Sequence, residues 1–362
     1  MIVAARGGIV PRESEGANVS AGWNPLRLGV LGAANIARLF SRGVAGSPLV
    51  TVEAVASRDA AKATEFARSE SIPRSHASYE ALLADPGIEA IYIPLPNDLH
   101  AEWAIKAAQA GKHILCEKPL AMTGNEARAM FAAARTHGVH LVEAYPYMSQ
   151  PQTLRMRELL AEIGPVQLVT AMFGFSLTTP DGAPLGDPAN IRLNPARGGG
   201  GLRDAGTYSM SLVRIATGER PTRVHASAKW TQSGVDQVIA ATAEFPSGAR
   251  AQVSCCMSAA FHRAAVIVGE KGVIETSYLN HGPSGKLSLQ VRRGTAGTVP
   301  LDTVEVEGLN GFRAEAESFA RMVRQGPAHW NGASEAESID IVLALDAIAA
   351  SARSGGWETV GA

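Results

Sequence analysis

Three stretches of this chain carry residue types that can do chemistry together. The first is Gly32-Ala33-Ala34-Asn35-Ile36-Ala37, which follows a short apolar run over 26–31 and opens a stripe of Ile36, Leu39, Phe40 and Val44 at helical spacing. This is where a strand-to-helix turn places the glycine fingerprint for a dinucleotide. The first position must turn tightly, the middle one must let the backbone approach a pyrophosphate, and the third must let helix and strand pack closely. Ala34 replaces the middle glycine and keeps the volume small. Free amides at the helix start then face the phosphates. At the end of the second strand, where Asp or Glu would bond a ribose 2′-hydroxyl, the chain has Ser57-Arg58, and Glu53 lies too early. A hydroxyl beside a guanidinium suits a 2′-phosphate. NADP(H) is therefore favoured over NAD(H), with Asp59 as the opposing neighbour.

The second stretch is Glu117-Lys118-Pro119, directly after an apolar strand over 113–116. Ligands of doubly wound sheets bind at the C-terminal rim of the strands. Pro119 forces Lys118 out of the helical region and so holds its side chain in one direction. A partly desolvated lysine at such a rim can move protons. The third stretch is Gly198-Gly-Gly-Gly-Leu-Arg-Asp204-Ala-Gly206-Thr-Tyr208. Asp204 and Tyr208 share a face if this segment is helical. Hydride transfer makes or consumes an alkoxide, which needs a proton partner at the oxygen. A tyrosine hydroxyl near a lysine ammonium can serve, because the cation favours the phenolate.

Alternating elements must position these residues. Strands are expected over 26–31, 51–56, 90–94, 113–116 and 140–142, separated by helices over 36–44, 59–70, 99–110 and 123–137. That is the pattern of βαβ units and a parallel sheet. Beyond Tyr145 a helix over 151–162 leads to strands over 166–177, 223–230, 238–245, 250–257, 264–268 and 273–277, joined by tight turns such as Pro246-Ser-Gly248. A last helix opens on the capping box Ser334-x-x-Glu337. The fold class is α/β: an N-terminal Rossmann doubly wound parallel sheet over 26–145, then an α+β domain over 146–362 with a large, mainly antiparallel open sheet. The helix over 334–353 is expected to pack back on the first domain. Residues 1–25 read as an irregular arm, which would use Trp23 as its anchor if it docks on a neighbouring subunit.

Composition excludes several classes. The 362 residues hold 33 Lys+Arg against 34 Asp+Glu, a net charge of −1, which argues against a nucleic-acid binder. No run of about 18 apolar residues suggests a membrane span. The apolar start is broken at Arg6, too early for a signal peptide. Three cysteines make no disulfide framework, so a reducing, cytoplasmic setting is expected. No nucleophile elbow is present, Cys116 reads as core, and His262 and His281 lack metal-ligand spacing, so no metal is expected.

Together with the glycine turn, Pro96-Asn97-x-x-His100, Glu117-Lys118-Pro119 and the 198–208 segment resemble the glucose–fructose oxidoreductase / inositol dehydrogenase (Gfo/Idh/MocA) family over about 27–357. Tyr208 stands where the common pattern Asp-x-Gly-x-His has histidine. That resembles the branch holding D-xylose dehydrogenases, glucose–fructose oxidoreductase, dimeric dihydrodiol dehydrogenase and some nucleotide-sugar 3-ketoreductases. The resemblance implies a Lys-Pro peptide that is often cis and a lysine aimed at substrate. Lys118 and Tyr208 become the catalytic pair, and Asp204 a substrate or orienting carboxylate, a helix cap or an internal ion pair. It implies cofactor contacts from Gly32, Ala33, Ala34, Asn35, Ile36, Ser57, Arg58, Leu95, Pro96, Asn97, His100, Glu117 and Lys118. Substrate contacts would come from Lys118, Tyr147, Arg192, Asp204 and Tyr208, Arg192 having an ion-pair role as its alternative. The branch's Arg and His become Met148 and Gln150 here, so a less cationic pocket is expected. The implied activity is NADP(H)-dependent hydride transfer at a sugar carbon. Nucleotide-sugar 3-ketoreductase and cyclic-diol dehydrogenase are the alternatives. A non-catalytic dinucleotide-sensing regulator is the alternative of another class, disfavoured by the presence of both Lys118 and Tyr208. A homodimer or homotetramer through the second sheet is expected.

Overall fold

Two sheets contribute to the walls of one cleft in the computed structural model, which describes residues 22–278 and 285–361. The first comprises β1 (Leu26–Leu31), β2 (Val50–Ala56), β3 (Arg74–His76), β4 (Ala90–Ile93), β5 (His113–Glu117) and β6 (Leu141–Ala144). Their order is β3-β2-β1-β4-β5-β6, with every pairing parallel. Five helices connect them: α1 (Asn35–Val44), α2 (Ala60–Ser69), α3 (Tyr79–Leu83), α4 (His100–Gln109) and α5 (Gly124–Thr136). The strand order reverses between β1 and β4. That is the switch point at which doubly wound sheets open a ligand crevice. β1, β4 and β5 are apolar nearly throughout because helices cover both faces.

The second region begins with α6 (Pro151–Ile163) and β7 (Val166–Ser176). A π-helical turn (Leu202–Gly206) then runs into α7 (Thr207–Thr217). The remaining strands are β8 (Arg223–Trp230), β9 (Asp236–Glu244), β10 (Arg250–Cys256), β11 (Ser258–Gly269), β12 (Gly272–Thr276), β13 (Gly285–Arg293) and β14 (Asp302–Gly308). They are followed by α8 (Gly311–Gln325), α9 (Glu335–Ser354) and the short β15 (Glu358–Thr359). The nine-stranded order is β14-β13-β12-β11-β7-β10-β9-β8-β15. It is antiparallel except where β10 runs parallel to β7, so the sheet is mixed.

Three large apolar clusters and a small one of Leu193, Val235 and Met257 hold the molecule. One large cluster fills the space under the second sheet, and the other two cover the faces of the first. The second region reaches back across the first. α8 buries Phe312, Ala316 and Phe319 in the cluster that also holds Leu28, Val30 and Phe40. α9 opens with the expected capping box of Ser334 and Glu337. It puts Val342 against the first sheet's helices and Ile341 and Leu345 under the second sheet. Asp346 on α9 accepts from the Gly124 amide of α5 at 3.2 Å. Residues 1–21 of the expected arm and His281 lie outside the described residues. Trp23 packs on the chain's own core, with the Arg324 guanidinium 5.9 Å from its ring centre.

Candidate active site

The glycine turn shapes one end of the cleft. Gly32 has φ +111°, a conformation that strains any side chain, and an added Cβ would lie 3.2 Å from a Leu95 methyl. Its amide donates to the Ala56 carbonyl at 2.8 Å, fixing β1 against β2. α1 then begins at Asn35 behind Ala34, with no side chain capping its first amides. α2, α3 and α5 by contrast have Asp59, Ser78 and Thr123 as caps. An uncapped helix start opening on a cleft is an anion site. Ala34, Asn35 and Ile36 line it together with Leu95, Pro96 and Asn97. Leu39, part of the stripe at helical spacing, lines the cleft as well. A dinucleotide pyrophosphate fits these residues. Ala33 lies within the turn, half-buried, without lining the cleft.

Ser57 and Arg58 follow β2 as expected. The Ser57 hydroxyl accepts from the Asp59 amide at 3.2 Å, and Asp59 itself caps α2 by accepting from Lys62 N at 3.1 Å. Asp59 is thus committed to its helix. Arg58 is exposed and sits by the Tyr79 hydroxyl. Burial raises that hydroxyl's pKa, and the guanidinium counteracts the rise. The same hydroxyl is 3.8 Å from where a Gly32 Cβ would stand, so Arg58 belongs to the glycine-turn end.

Two predicted contacts lie behind the cleft wall instead of on it. His100 is fully buried, its ring nitrogens 2.8 Å from the Leu95 carbonyl and 2.9 Å from that of Pro119. It braces the two rim loops against each other. Tyr147 is also fully buried; its hydroxyl pairs with Ser211 at 2.7 Å and its ring backs Tyr208 at 6.0 Å.

The rim after β5 carries the reactive groups. Lys118-Pro119 is cis. Glu143 on β6 accepts from the Leu120 amide at 2.9 Å and so secures the loop from behind. Lys118 Nζ donates to the Asp204 carbonyl at 2.9 Å and to its Oδ1 at 3.1 Å. Arg192 Nε donates to Asp204 Oδ2 at 2.7 Å. Burial would raise the Asp204 carboxyl, but the Lys118 and Arg192 charges prevail and hold it at about 2. The ammonium lies 4.7 Å from the centre of the Tyr208 ring. That ring is 4% exposed and is held edge-on by Phe173 at 5.6 Å and Tyr145 at 5.7 Å. Beside Lys118, the Glu117 carboxylate is raised by burial, although the Lys118 charge and the Tyr92 hydroxyl donating at 2.5 Å oppose this.

Asp204 and Tyr208 are not on one α-helical face. Asp204 is in the π turn, where the Thr207 amide reaches back to the Leu202 carbonyl, and Tyr208 is in the first turn of α7. Both nevertheless line the cleft. The turn is held by Asp236 of β9, whose Oδ2 accepts from the Leu202 amide at 2.6 Å. Burial raises the Asp236 carboxyl to about 6 against that bond. Gly200 has φ +117°, and a Cβ there would stand 2.1 Å from Asp236 Oδ1, so the glycine run is what admits the carboxylate. The segment is stapled to the first domain by Asn97 Nδ2 donating to the Gly198 carbonyl at 2.9 Å and by the Arg197–Asp98 ion pair at 2.9 Å.

Sequence reasoning missed the far wall of this cleft of about 730 Å³: Phe173 and Phe175 on β7, Phe261 and Arg263 on β11, and Arg197. Phe173 and Phe175 are two apart in a strand and so face the same way, which is the signal that could have found them. Met148 and Gln150 are buried away from the cleft. The expected loss of positive charge does not follow, because Arg263 brings a cation in from the other sheet.

Family models match both halves. Residues 26–145 match the GFO/IDH/MocA oxidoreductase family, NAD-binding Rossmann fold, and residues 153–275 match the GFO/IDH/MocA C-terminal domain. The chain belongs to this family. Being a GFO/IDH/MocA protein, it is an NAD(P)-dependent oxidoreductase. It is 38% identical over 305 residues to D-xylose 1-dehydrogenase (NADP(+)) 2 of Haloferax volcanii, covering 83% of this chain and 90% of that protein. It is 34% identical to trans-1,2-dihydrobenzene-1,2-diol dehydrogenase of Danio rerio, covering 89% and 95%. Among solved structures, the aldose-aldose oxidoreductase from Caulobacter crescentus complexed with glycerol is similar, with a TM-score of 0.81 at 26% identity over 93% of this chain and all of that one.

Proposed function

We propose that this GFO/IDH/MocA protein is an NADP(H)-dependent oxidoreductase acting between a hydroxyl and a carbonyl carbon of a sugar. The observation that carries this reading is the Lys118 ammonium between the ionised Asp204 and the Tyr208 ring, on the strand rim facing the uncapped start of α1. The bound nicotinamide supplies a carbon that takes or gives hydride. In the oxidising direction Tyr208 Oη takes the proton of the substrate hydroxyl, and in the reducing direction it returns it. Lys118 favours the phenolate this leaves. Asp204, ionised throughout the physiological range, aims the Lys118 ammonium and balances its charge. Arg192, held by the same carboxylate, presents its remaining donors to the sugar. Phe173, Phe175 and Phe261 give the reacting face an apolar wall on which a bound sugar ring would lie.

Arg58 beside the glycine turn supports the 2′-phosphate form of the cofactor, as does the name of the Haloferax relative. The aromatic wall also suits a cyclic diol, the substrate class named in the Danio relative, with the same residues in the same roles.

The test is the rate of nicotinamide reduction with NADP and with NAD across aldoses, polyols and cyclic diols, together with Lys118→Met and Tyr208→Phe. NADP-linked turnover is expected, with kcat lowered by about 10²- to 10⁴-fold in each variant while cofactor still binds. Full activity in Lys118→Met would sink the proton-handling assignment.

A further inference from the structure

The substrate end of the cleft contains a cation that the proton chemistry leaves unused. Arg263 is 8% exposed and lines the cleft. Its guanidinium carbon is 4.3 Å from the centre of the Phe173 ring, 5.5 Å from that of Phe261 and 5.6 Å from that of Tyr208. A guanidinium has five N–H donors. Nη1 of Arg263 reaches the Tyr278 carbonyl at 3.3 Å, while Nε is buried with no hydrogen-bond partner.

The other cations of the cleft are balanced by the chain itself. Lys118 and Arg192 share Asp204, and Arg197 has Asp98. Among the described residues no carboxylate forms an ion pair with Arg263, and burial disfavours its charge. Aromatic faces stabilise the flat face of a guanidinium. They offer nothing to its N–H edge, and a buried cation without a counter-ion is costly. The missing negative charge must therefore come from the ligand.

We propose that Arg263 selects a substrate carrying a carboxylate, so that the sugar handled here is a sugar acid. The carboxylate docks on Arg263 while the reacting hydroxyl lies at Tyr208 and Lys118. This rests on the oxidoreductase reading above and specifies its substrate class. Both cations stand within 6 Å of the Tyr208 ring centre, so one monosaccharide touches both. A carboxylate matches a single cation walled by Phe173 and Phe261. A phosphate dianion would leave one charge uncompensated against those rings.

The experiment compares matched sugars: D-glucose with D-glucuronate, D-galactose with D-galacturonate, and D-glucose 6-phosphate as the phosphate arm. Each is measured with the wild type, Arg263→Gln and Arg263→Lys, both for NADPH formation and for binding to the NADPH-loaded protein by calorimetry. Nicotinamide fluorescence confirms that each variant is folded and loaded. The wild type is expected to favour the uronate about tenfold or more, through KM. That ratio falls to about one in Arg263→Gln and is partly kept in Arg263→Lys. A wild-type ratio of one or less, a preference for the phosphate, or a ratio unchanged in Arg263→Gln overturns the proposal. If no sugar turns over but the uronate still binds more tightly in an Arg263-dependent way, the proposed function fails and the Arg263 assignment holds. Turnover of neutral sugars with no uronate preference removes Arg263 and leaves the function in place.

Discussion

Glu143 shows how a residue that touches no substrate can govern the reactive loop. It is fully buried, and its carboxyl secures the Leu120 amide two residues after Lys118. Burial raises it from 4.5 to about 7, although that hydrogen bond and the Lys118 charge oppose the rise. Between pH 4.5 and 7 the folded chain thus keeps a proton that the unfolded chain has released. Through this one group stability falls as pH rises across the window, and its whole cost is felt above pH 7. The cost is on the order of 3 kcal/mol. Glu143→Gln keeps the acceptor for Leu120 and removes the titration. Urea midpoints measured from pH 5 to 8 should fall more steeply in the wild type than in the variant, where Asp236, raised to about 6, still titrates, and the variant becomes the more stable protein at pH 8. A parallel decline in both would show that Glu143 is ionised throughout.

At the scale of elements, the π turn decides where Asp204 points, and the turn depends on Gly200. A methyl at Gly200 meets Asp236 Oδ1 at 2.1 Å in a backbone region closed to side chains. Gly200→Ala is expected to cost at least about 2 kcal/mol. It should also lower kcat more than it weakens cofactor binding, because the turn carries Asp204 and leads directly into Tyr208. Urea denaturation and steady-state rates measure the two effects, and an unchanged kcat would release the turn from this role. The sequence made this region only half legible. The glycine run and the i, i+4 spacing pointed to a site, but spacing cannot distinguish a π turn from an α-helix, since the difference lies in which carbonyl accepts. Apart from β3 and α3, the βαβ series was read within about two residues, because its remaining strands are mainly apolar and helices such as α2 and α5 bear the caps Asp59 and Thr123. β3, α3, β13, β14, α8 and the short β15 were not placed. β13 does alternate Leu287, Leu289 and Val291, all buried, but the apolar stripe of α8 is diluted by alanine. Arg263 was invisible for a further reason: β11 begins at Ser258, before the strand expected from 264, and only its pairing opposite Phe173 of β7 brings Arg263 to Tyr208's side.

For the whole molecule, the outer face of the second sheet is its most unusual surface. Leu168 and Met172 of β7 are 41% and 37% exposed, and they pair across to Val268 and Ala264 of β11. An open sheet with this much apolar surface at its centre calls for a cover. We propose that a second copy of the chain provides it, giving a homodimer or homotetramer. Sedimentation should give two or four times the chain mass, and Met172→Lys should shift the population towards monomer. A monomeric wild type at micromolar concentration would refute this. No helix among the described residues is long and apolar enough to cross a membrane.

The return of α8 and α9 over the first sheet bears on how the protein comes into being. Phe312 and Phe319 complete the core against which Phe40 and Tyr92 pack, and Val342 completes the other face. During synthesis the cofactor-binding half leaves the ribosome first, yet it lacks these side chains until about residue 350 has been made. Its parallel strands, whose contacts are distant in sequence, form slowly even when the chain is whole. The half that would bind the dinucleotide is therefore made first but cannot be completed until the end of the chain is near. Nascent chains released before α9 emerges should expose apolar surface and depend on chaperones, however complete their glycine turn.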